Sequence, residues 1–182
     1  GFRSFLSKPF AKHVVKKQKL WMQDPITSQQ KVLKDILTKA SGTAFGKDHN
    51  FSSINNHQDF KSNVPVRDYE QLTPYVEKVV KGEKDILWPG KPEYFAKTSG
   101  TTSGIKYIPI TKDSIPNHIN SARDALLNYV HETGNSKFLD GSLIFLSGSP
   151  VLNQTAGINT GRLSGIVNHH VPSYLRSNQM PS

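Results

Sequence analysis

The sequence predicts a mixed α/β fold, helical in its first half and strand-hairpin-helix-strand in its second. Three observations carry this. Apolar residues recur at helical spacing through most of residues 4–80 and again through 113–133. Two short β-type runs, 93–98 and 106–110, flank a loop of glycines and hydroxyl residues. Leu143-Ile144-Phe145-Leu146 is a continuous apolar run, the pattern of a strand covered on both faces. Residues 1–90 thus form a helical lead-in and 91–182 an α/β part.

Taken in order, residues 4–21 place Phe5, Leu6, Phe10, Val14, Val15 and Leu20 mostly on one side and lysines on the other, with Pro9 breaking or starting the helix. Asp24-Pro25 is a cap-plus-proline start, Leu33, Ile36, Leu37 and Ala40 form one stripe, and Ser41-Gly42 ends it. A short helix near 56–62 is anchored by Ile54 and Phe60. Thr73-Pro74 repeats the start signal, Tyr75, Val76, Val79 and Val80 supply the apolar side, and Gly82 closes it. Leu87-Trp88-Pro89-Gly90 turns the chain between the halves. The helix over 113–133 carries Ile115, Ile119, Ala122, Leu126, Tyr129 and Val130, is capped by Thr111 or Ser114, and ends at Gly134-Asn135. Residues 150–182 alternate Gly, Asn, Ser and apolar positions without a clear period.

The 182 residues are 35% apolar and 20% charged, a globular composition at its polar end. With no cysteine, disulfides, thiolate metal sites and a cysteine nucleophile are excluded, in accord with a cytoplasmic location. No apolar run reaches membrane-spanning length, and no leader pattern opens the chain. Of the net charge of +9, residues 1–20 hold +6, from Arg3, Lys8, Lys12, Lys16, Lys17 and Lys19 without an acid. The basic character belongs to one end, which argues against a nucleic-acid-binding face spread over the domain. A basic nucleic-acid-binding or non-catalytic module is the competing class.

The chemistry concentrates in Lys97-Thr98-Ser99-Gly100-Thr101-Thr102-Ser103-Gly104-Ile105-Lys106. Glycines let backbone N–H groups approach an anion, hydroxyls donate to phosphate oxygens, and Lys97 and Lys106 supply charge. No acid lies between Glu93 and Asp113. Lys106 is followed by Tyr107-Ile108-Pro109-Ile110, which are strand residues, so the loop joins two strands and does not open a helix as a Walker A loop does. The plain alternative is an unliganded Ser/Thr/Gly hairpin. Elsewhere, Arg123 on the long helix is a candidate for a substrate carboxylate, against the alternative of an exposed surface arginine. His169 and His170 are adjacent and, in an extended segment, face opposite ways; His13, His49, His57, His118 and His131 show no ligand spacing, so no metal site is expected.

Residues 98–109, Thr-Ser-Gly-Thr-Thr-Ser-Gly-x-Lys-x-x-Pro, resemble the first ATP signature of the adenylate-forming superfamily. More closely they resemble the auxin-responsive "Gretchen Hagen three" acyl-acid amido synthetases, especially their bacterial relatives. Asn63-Val64-Pro65-Val66-Arg67-Asp68-Tyr69, Phe145-Leu146-Ser147-Gly148-Ser149 and Gly161-Arg162-Leu163-Ser164-Gly165-Ile166 are similar to further segments of that family.

The resemblance implies the N-terminal part of an adenylate-forming, acyl-adenylate synthetase-like large domain. It implies an ATP- and Mg2+-dependent ligase that makes an acyl adenylate from a small carboxylic acid and passes the acyl group to an amino acid, with no nucleic-acid or membrane partner. Thr98, Ser99, Gly100, Thr101, Thr102, Ser103, Gly104 and Lys106 would hold the ATP phosphates, and Thr155 and Gly157 lie where the acyl substrate is expected. The loop ends Ser-Gly-Ile-Lys where many superfamily members have Gly-x-Pro-Lys, which favours amido synthetases over acyl-CoA-type ligases. The family's later nucleotide signatures and C-terminal domain have no counterpart in these residues, so this portion alone is not expected to turn over.

Overall fold

The computed structural model describes residues 1–98, 104–144, 148–171 and 179–180. Five helices come first: α1 (Phe2–Gln23), α2 (Pro25–Ala40), α3 (Ala44–Asp48), α4 (His57–Asn63) and α5 (Tyr69–Val80). A hairpin of β1 (Tyr94–Lys97) and β2 (Tyr107–Ile110) leads into α6 (Ile115–Thr133). Then come β3 (Leu143–Ile144), β4 (Asn153–Thr155), β5 (Ile158–Gly161), α7 (Leu163–His169) and β6 (Gln179–Met180). Among the described residues no helix is long and apolar enough to cross a membrane.

Local signals set several boundaries as expected. The Asp24 carboxylate accepts from the Thr27 amide and Pro25 occupies the first turn of α2. Asn56 caps α4 through the Asp59 amide. Gly82, at φ +89°, ends α5 in a Schellman arrangement: its amide donates to the Val79 carbonyl and that of Glu83 to Lys78. Gly134, at φ +66°, ends α6 in the left-handed region. At the start of α6, Ser114 is the N-cap residue but its side chain caps no helical amide; its hydroxyl accepts the Thr111 amide, and the Thr111 hydroxyl accepts the Ser114 amide.

Other expectations are corrected. Pro9 lies inside α1 and neither breaks nor starts it. Proline removes one N–H and leaves the Phe5 carbonyl without its helical partner, but Phe5 is 74% exposed, where water can satisfy that carbonyl. The buried residues of α1 are Ser7, Ala11, Val14 and Val15, of which Ala11 and Val14 pack against Leu127 and Val130 of α6, while Phe5, Leu6, Phe10 and Leu20 are exposed. Helix α5 starts at Tyr69, not at Thr73-Pro74, because Asp68 and Gln71 form a complete capping box and Pro74 is carried inside. Helix α2 ends without a left-handed glycine: the buried Thr43 hydroxyl donates to the Ala40 carbonyl at 2.7 Å and accepts the Gly46 amide at 3.0 Å. In α6 the buried residues are Leu127 and Val130, while Leu126 and Tyr129 are exposed. The stripe is set by where α1 docks.

The main sheet has the order β2-β1-β5-β4. Strand β1 pairs antiparallel with β2 (Tyr94 opposite Ile110, Lys97 opposite Tyr107) and parallel with β5 (Ala96 opposite Gly161). Strands β4 and β5 form a hairpin whose two turn residues, Ala156 and Gly157, both have positive φ, as a mirror-image two-residue turn requires. Alternation along the strands builds two cores. Phe95 and Ile158 join Val79 of α5 and Ile86 on one face; Ala96 and Ile110 meet Ile166 of α7 on the other. Leu37, Ala40, Phe51 and Ile54 form a third core in the helical lead-in. The run at 143–146 is not a strand covered on both faces where it is described: Leu143–Ile144 pairs with Gln179–Met180 in a separate two-stranded sheet, and Ile144 is 70% exposed. Phe145 and Leu146 lie outside the described residues.

Candidate functional site

The glycine- and hydroxyl-rich loop connects β1 to β2, so it is a hairpin loop; the residues after Lys106 are strand, not helix. The ladder runs one step past β1, with the Thr98 amide donating to the Lys106 carbonyl at 3.1 Å. Gly104, at φ +81°, adopts a conformation side chains rarely tolerate. Ser99, Gly100, Thr101, Thr102 and Ser103 lie outside the described residues.

The loop stems stand at the carboxyl ends of β1 and β5, which are adjacent and parallel. Ligands in open α/β sheets bind at such strand ends. Here an open cleft of about 460 Å³ is lined from the hairpin by Lys97, Thr98 and Ile105. Across it stand Ser149, Val151 and Asn153, then Gly161, Arg162, Leu163 and Ser164 at the junction of β5 with α7. Two close approaches shape the far wall. The Gly148 amide donates to Ser164 Oγ at 2.8 Å, and Gly165 lets the Ser149 carbonyl lie directly against α7. Among the described residues no acidic side chain lines the cleft. Its cations, hydroxyls and amide therefore suit an anionic oxygen ligand.

Lys106 sits on the other side of the hairpin. Its ammonium pairs with Glu70 at 2.8 Å and lies 5.0 Å from the centre of the Tyr69 ring. Both partners occupy the first turn of α5, where the Asp68–Gln71 capping box places them. The hydrogen bond from Lys106, and then one from backbone, hold the Glu70 carboxyl below its ordinary range. The stabilisation from this pairing is present above the unfolded-state value and is lost as the pH falls through the folded one.

Tyr69 also completes the outer edge of β2. Its hydroxyl accepts the Tyr107 amide at 2.8 Å and donates to the Tyr107 carbonyl at 3.2 Å. Tyr69→Phe is therefore expected to cost about 1–2 kcal/mol for the two lost bonds. It should accelerate hydrogen exchange at the Tyr107 amide; unchanged exchange there would contradict the bridging role.

The remaining expected site residues lie apart from the cleft. Arg123 donates to Asp124 Oδ1 through Nε at 2.8 Å and Nη2 at 2.7 Å, and stacks 5.6 Å from the Phe10 ring, facing α1. Thr155 and Gly157 belong to the β4–β5 turn, at the end of β5 away from Gly161. The spacing is about 3.3 Å per residue, which puts them roughly 10 Å or more from the strand ends at the cleft. Gly82 and Ala156 are neighbours there, beside the end of α5. His169 and His170 take separate partners, the Pro150 carbonyl and the Tyr94 hydroxyl.

A family model described as the GH3 family N-terminal domain matches residues 14–181. The chain belongs to the GH3 family.

Among GH3 relatives, it is 33% identical over 120 residues to indole-3-acetic acid-amido synthetase GH3.15 of Arabidopsis thaliana, covering 64% of this chain and 20% of that protein. It is 31% identical over 94 residues to GH3.5 of the same plant, covering 48% of this chain and 15% of that one. Jasmonoyl--L-amino acid synthetase JAR6 of Nicotiana attenuata is 28% identical over 137 residues, 73% of this chain and 23% of JAR6. All three are plant proteins, and the expected bacterial affinity finds no support in them. A solved structure, AtGH3.15 acyl acid amido synthetase in complex with 2,4-DB, superposes with a TM-score of 0.67 at 24% identity, covering 79% of this chain and 25% of that one. That likeness establishes the fold: the helices followed by the strand hairpin are those of the N-terminal domain of a GH3 acyl acid amido synthetase. The chain spans only about 15–23% of the length of these curated relatives.

Within the GH3 chain, residue-by-residue reading missed Arg162, Asn153 and Ser164 as lining residues and Tyr69 as the support of Lys106. Arg162 was legible only as part of a family-like segment. Its neighbour in space, Lys97, is 65 positions earlier in the sequence, and no local spacing joins them.

Proposed function

We propose that these residues form the phosphate-loop part of an ATP-dependent acyl-acid amido synthetase. They would be the N-terminal portion of its adenylate-forming domain, with 1–90 as helical lead-in and 91–182 as the α/β part carrying the loop. The observation that carries this reading is the cation- and hydroxyl-lined cleft at the carboxyl ends of two parallel strands, beside the hairpin loop and without an acidic lining residue among the described residues. Membership of a family whose relatives are named as amido synthetases supports it.

In the proposed reaction a carboxylate oxygen attacks the α-phosphorus of ATP, expelling pyrophosphate and leaving an acyl adenylate. The amine of an amino acid then attacks the acyl carbon, forming the amide and releasing AMP. Thr98, Gly104, Lys106 and the hydroxyls of 99–103 would hold the phosphates, and Mg2+ carried by ATP would neutralise their charge. What the chain contributes is positioning and charge compensation, not a covalent intermediate. Lys106 leaves Glu70 to meet a phosphate at modest cost, because the Glu70 carboxylate is exposed and water screens the pair. The adenosine-contacting and C-terminal parts of the reaction would come from outside these residues, and the portion alone would not turn over. A cytoplasmic location belongs to this reading.

Lys106→Ala should weaken pyrophosphate binding about 10-fold or more, the value of a lost charge-assisted hydrogen bond. It should lower the thermal midpoint only modestly, since the Glu70 carboxylate is exposed and what is lost besides is the half-buried lysine's contact with the Tyr69 ring. Titration calorimetry with pyrophosphate reads the first and a melting curve the second; equal affinity would remove Lys106 from the site. The overall test is carboxylate-dependent ATP–pyrophosphate exchange by the intact protein across aromatic and aliphatic acids. Exchange with at least one acid is expected, and silence with all of them would overturn the ligase reading.

A further inference from the structure

We propose that Arg162 is the residue that recognises the carboxylate of the organic acid, the role that the sequence assigned to Arg123. The proposal rests on the acid-activating reading above and adds to it a specificity-determining group. Arg123 is engaged with Asp124 and the Phe10 ring on the α1 side of the molecule. Arg162 instead lines the cleft, and among the described residues it has no acidic partner.

Its position follows from the sheet. Ala96 and Gly161 are partners in the parallel ladder, so the next residues on the two chains, Lys97 and Arg162, leave the sheet side by side into one cleft. Gly148 shapes the arginine's path: a Cβ there would come within 2.8 Å of Arg162 Cδ and 3.1 Å of its Cβ. The glycine thus leaves room for the arginine stem to lie against the cleft wall. Two cations lining one open cleft, with no acidic lining residue among the described residues, favour an anion there.

The rest of the lining selects which anion. Ile105, Val151 and Leu163 give the same cleft an apolar wall. A polyphosphate, polar on every side, gains nothing from that wall, so the phosphates belong to the hairpin-loop side of the cleft and the organic acid to the Arg162 side. An organic acid with an apolar body and one carboxylate gains from both the wall and the cations. The guanidinium fork can hold a carboxylate through two parallel hydrogen bonds, which lysine cannot reproduce.

The experiment uses the intact protein and its R162A and R162K variants. Binding of benzoate, phenylacetate and decanoate, of the neutral benzamide, and of pyrophosphate is measured by titration calorimetry. Acid and ATP KM values are taken from ATP–pyrophosphate exchange. Arg162 is exposed, so both variants should fold, which circular dichroism checks. The expected result is a loss of about tenfold or more in affinity for the best-bound acid in R162A. R162K should be intermediate, the acid should no longer be preferred over benzamide, the acid KM should rise, and ATP KM and pyrophosphate affinity should stay within about twofold.

Unchanged acid binding in R162A overturns the proposal. So does a matching loss of pyrophosphate affinity, which would assign the arginine to the phosphates, and so does a wild-type protein that binds none of the acids. Acid binding that depends on Arg162 without exchange by the wild type supports the carboxylate site and overturns only the ligase reading.

Discussion

Phe95→Ala is expected to remove about 3–5 kcal/mol of stability, the usual cost of emptying a large aromatic site in a core. Phe95 is 0% exposed and sits in the strand that pairs on both sides. Its ring packs with Val79, Ile86 and Ile158 and meets Tyr107 edge-on at 5.7 Å between centroids. The residues that would have to collapse into the cavity belong to α5, β5, β2 and the segment after α5, where the Ile86 carbonyl is held by the Phe45 amide, so little relaxation is available. At roughly 2–4 °C per kcal/mol for a chain of this size, the thermal midpoint should fall by about 6–20 °C. Phe95→Leu, which keeps most of the volume, should lose markedly less. A drop of under about 3 °C for the alanine variant would mean that the sheet and α5 do not share the core described above.

Gly165→Ala tests the wall of the cleft and has an unusual sign. In an ordinary helix position the change stabilises by about 1 kcal/mol, because alanine is the better helix former. Gly165 is buried in α7, and an added Cβ would fall on the Ser149 carbonyl oxygen, with the Ser149 carbonyl carbon at 3.2 Å. Backbone cannot step aside as a flexible side chain can. Residues 148–150 must therefore move off α7, and the bond from the Gly148 amide to Ser164 Oγ lengthens or breaks. Overpacking of this kind costs about 1–3 kcal/mol, which outweighs the propensity gain. The wall carrying Ser149 and Val151 moves with it, and displacement of about 1 Å at a reacting site costs on the order of 100-fold in rate. A lower melting point together with a fall in carboxylate-dependent exchange is expected. A raised melting point would show that the Ser149 carbonyl is not packed against this glycine.

The two variants draw on different parts of what was legible in the sequence. The hairpin under Phe95 was readable because its signals are local. Tyr-Phe-Ala-Lys and Tyr-Ile-Pro-Ile have strand character, and the residues between them are turn formers. The start of α2 at Asp24-Pro25 and the ends of α5 and α6 at Gly82 and Gly134 were readable for the same reason: a cap or a left-handed glycine acts within four residues. The true start of α5 was written just as locally, in Asp68-x-x-Gln71, but the more conspicuous Thr-Pro further along drew the boundary five residues late. The β4–β5 turn was hidden for a chemical reason: Ala156 stands in a left-handed conformation where asparagine or glycine would have announced it.

The sequence by itself determined the longer helices, the two hairpin strands, the loop's hairpin setting and the concentration of charge in the first twenty residues, because each depends on neighbours along the chain. Only the tertiary structure decided which side of a helix is buried. Leu126 and Leu127 are equally apolar, and the docking of α1 on α6 chose Leu127. It also decided which arginine faces the cleft. The parallel pairing of β1 with β5 brings Lys97 beside Arg162, while α6 turns Arg123 toward α1. Such choices depend on hydrogen bonds and packing between segments far apart in sequence, and no local spacing encodes where those segments meet.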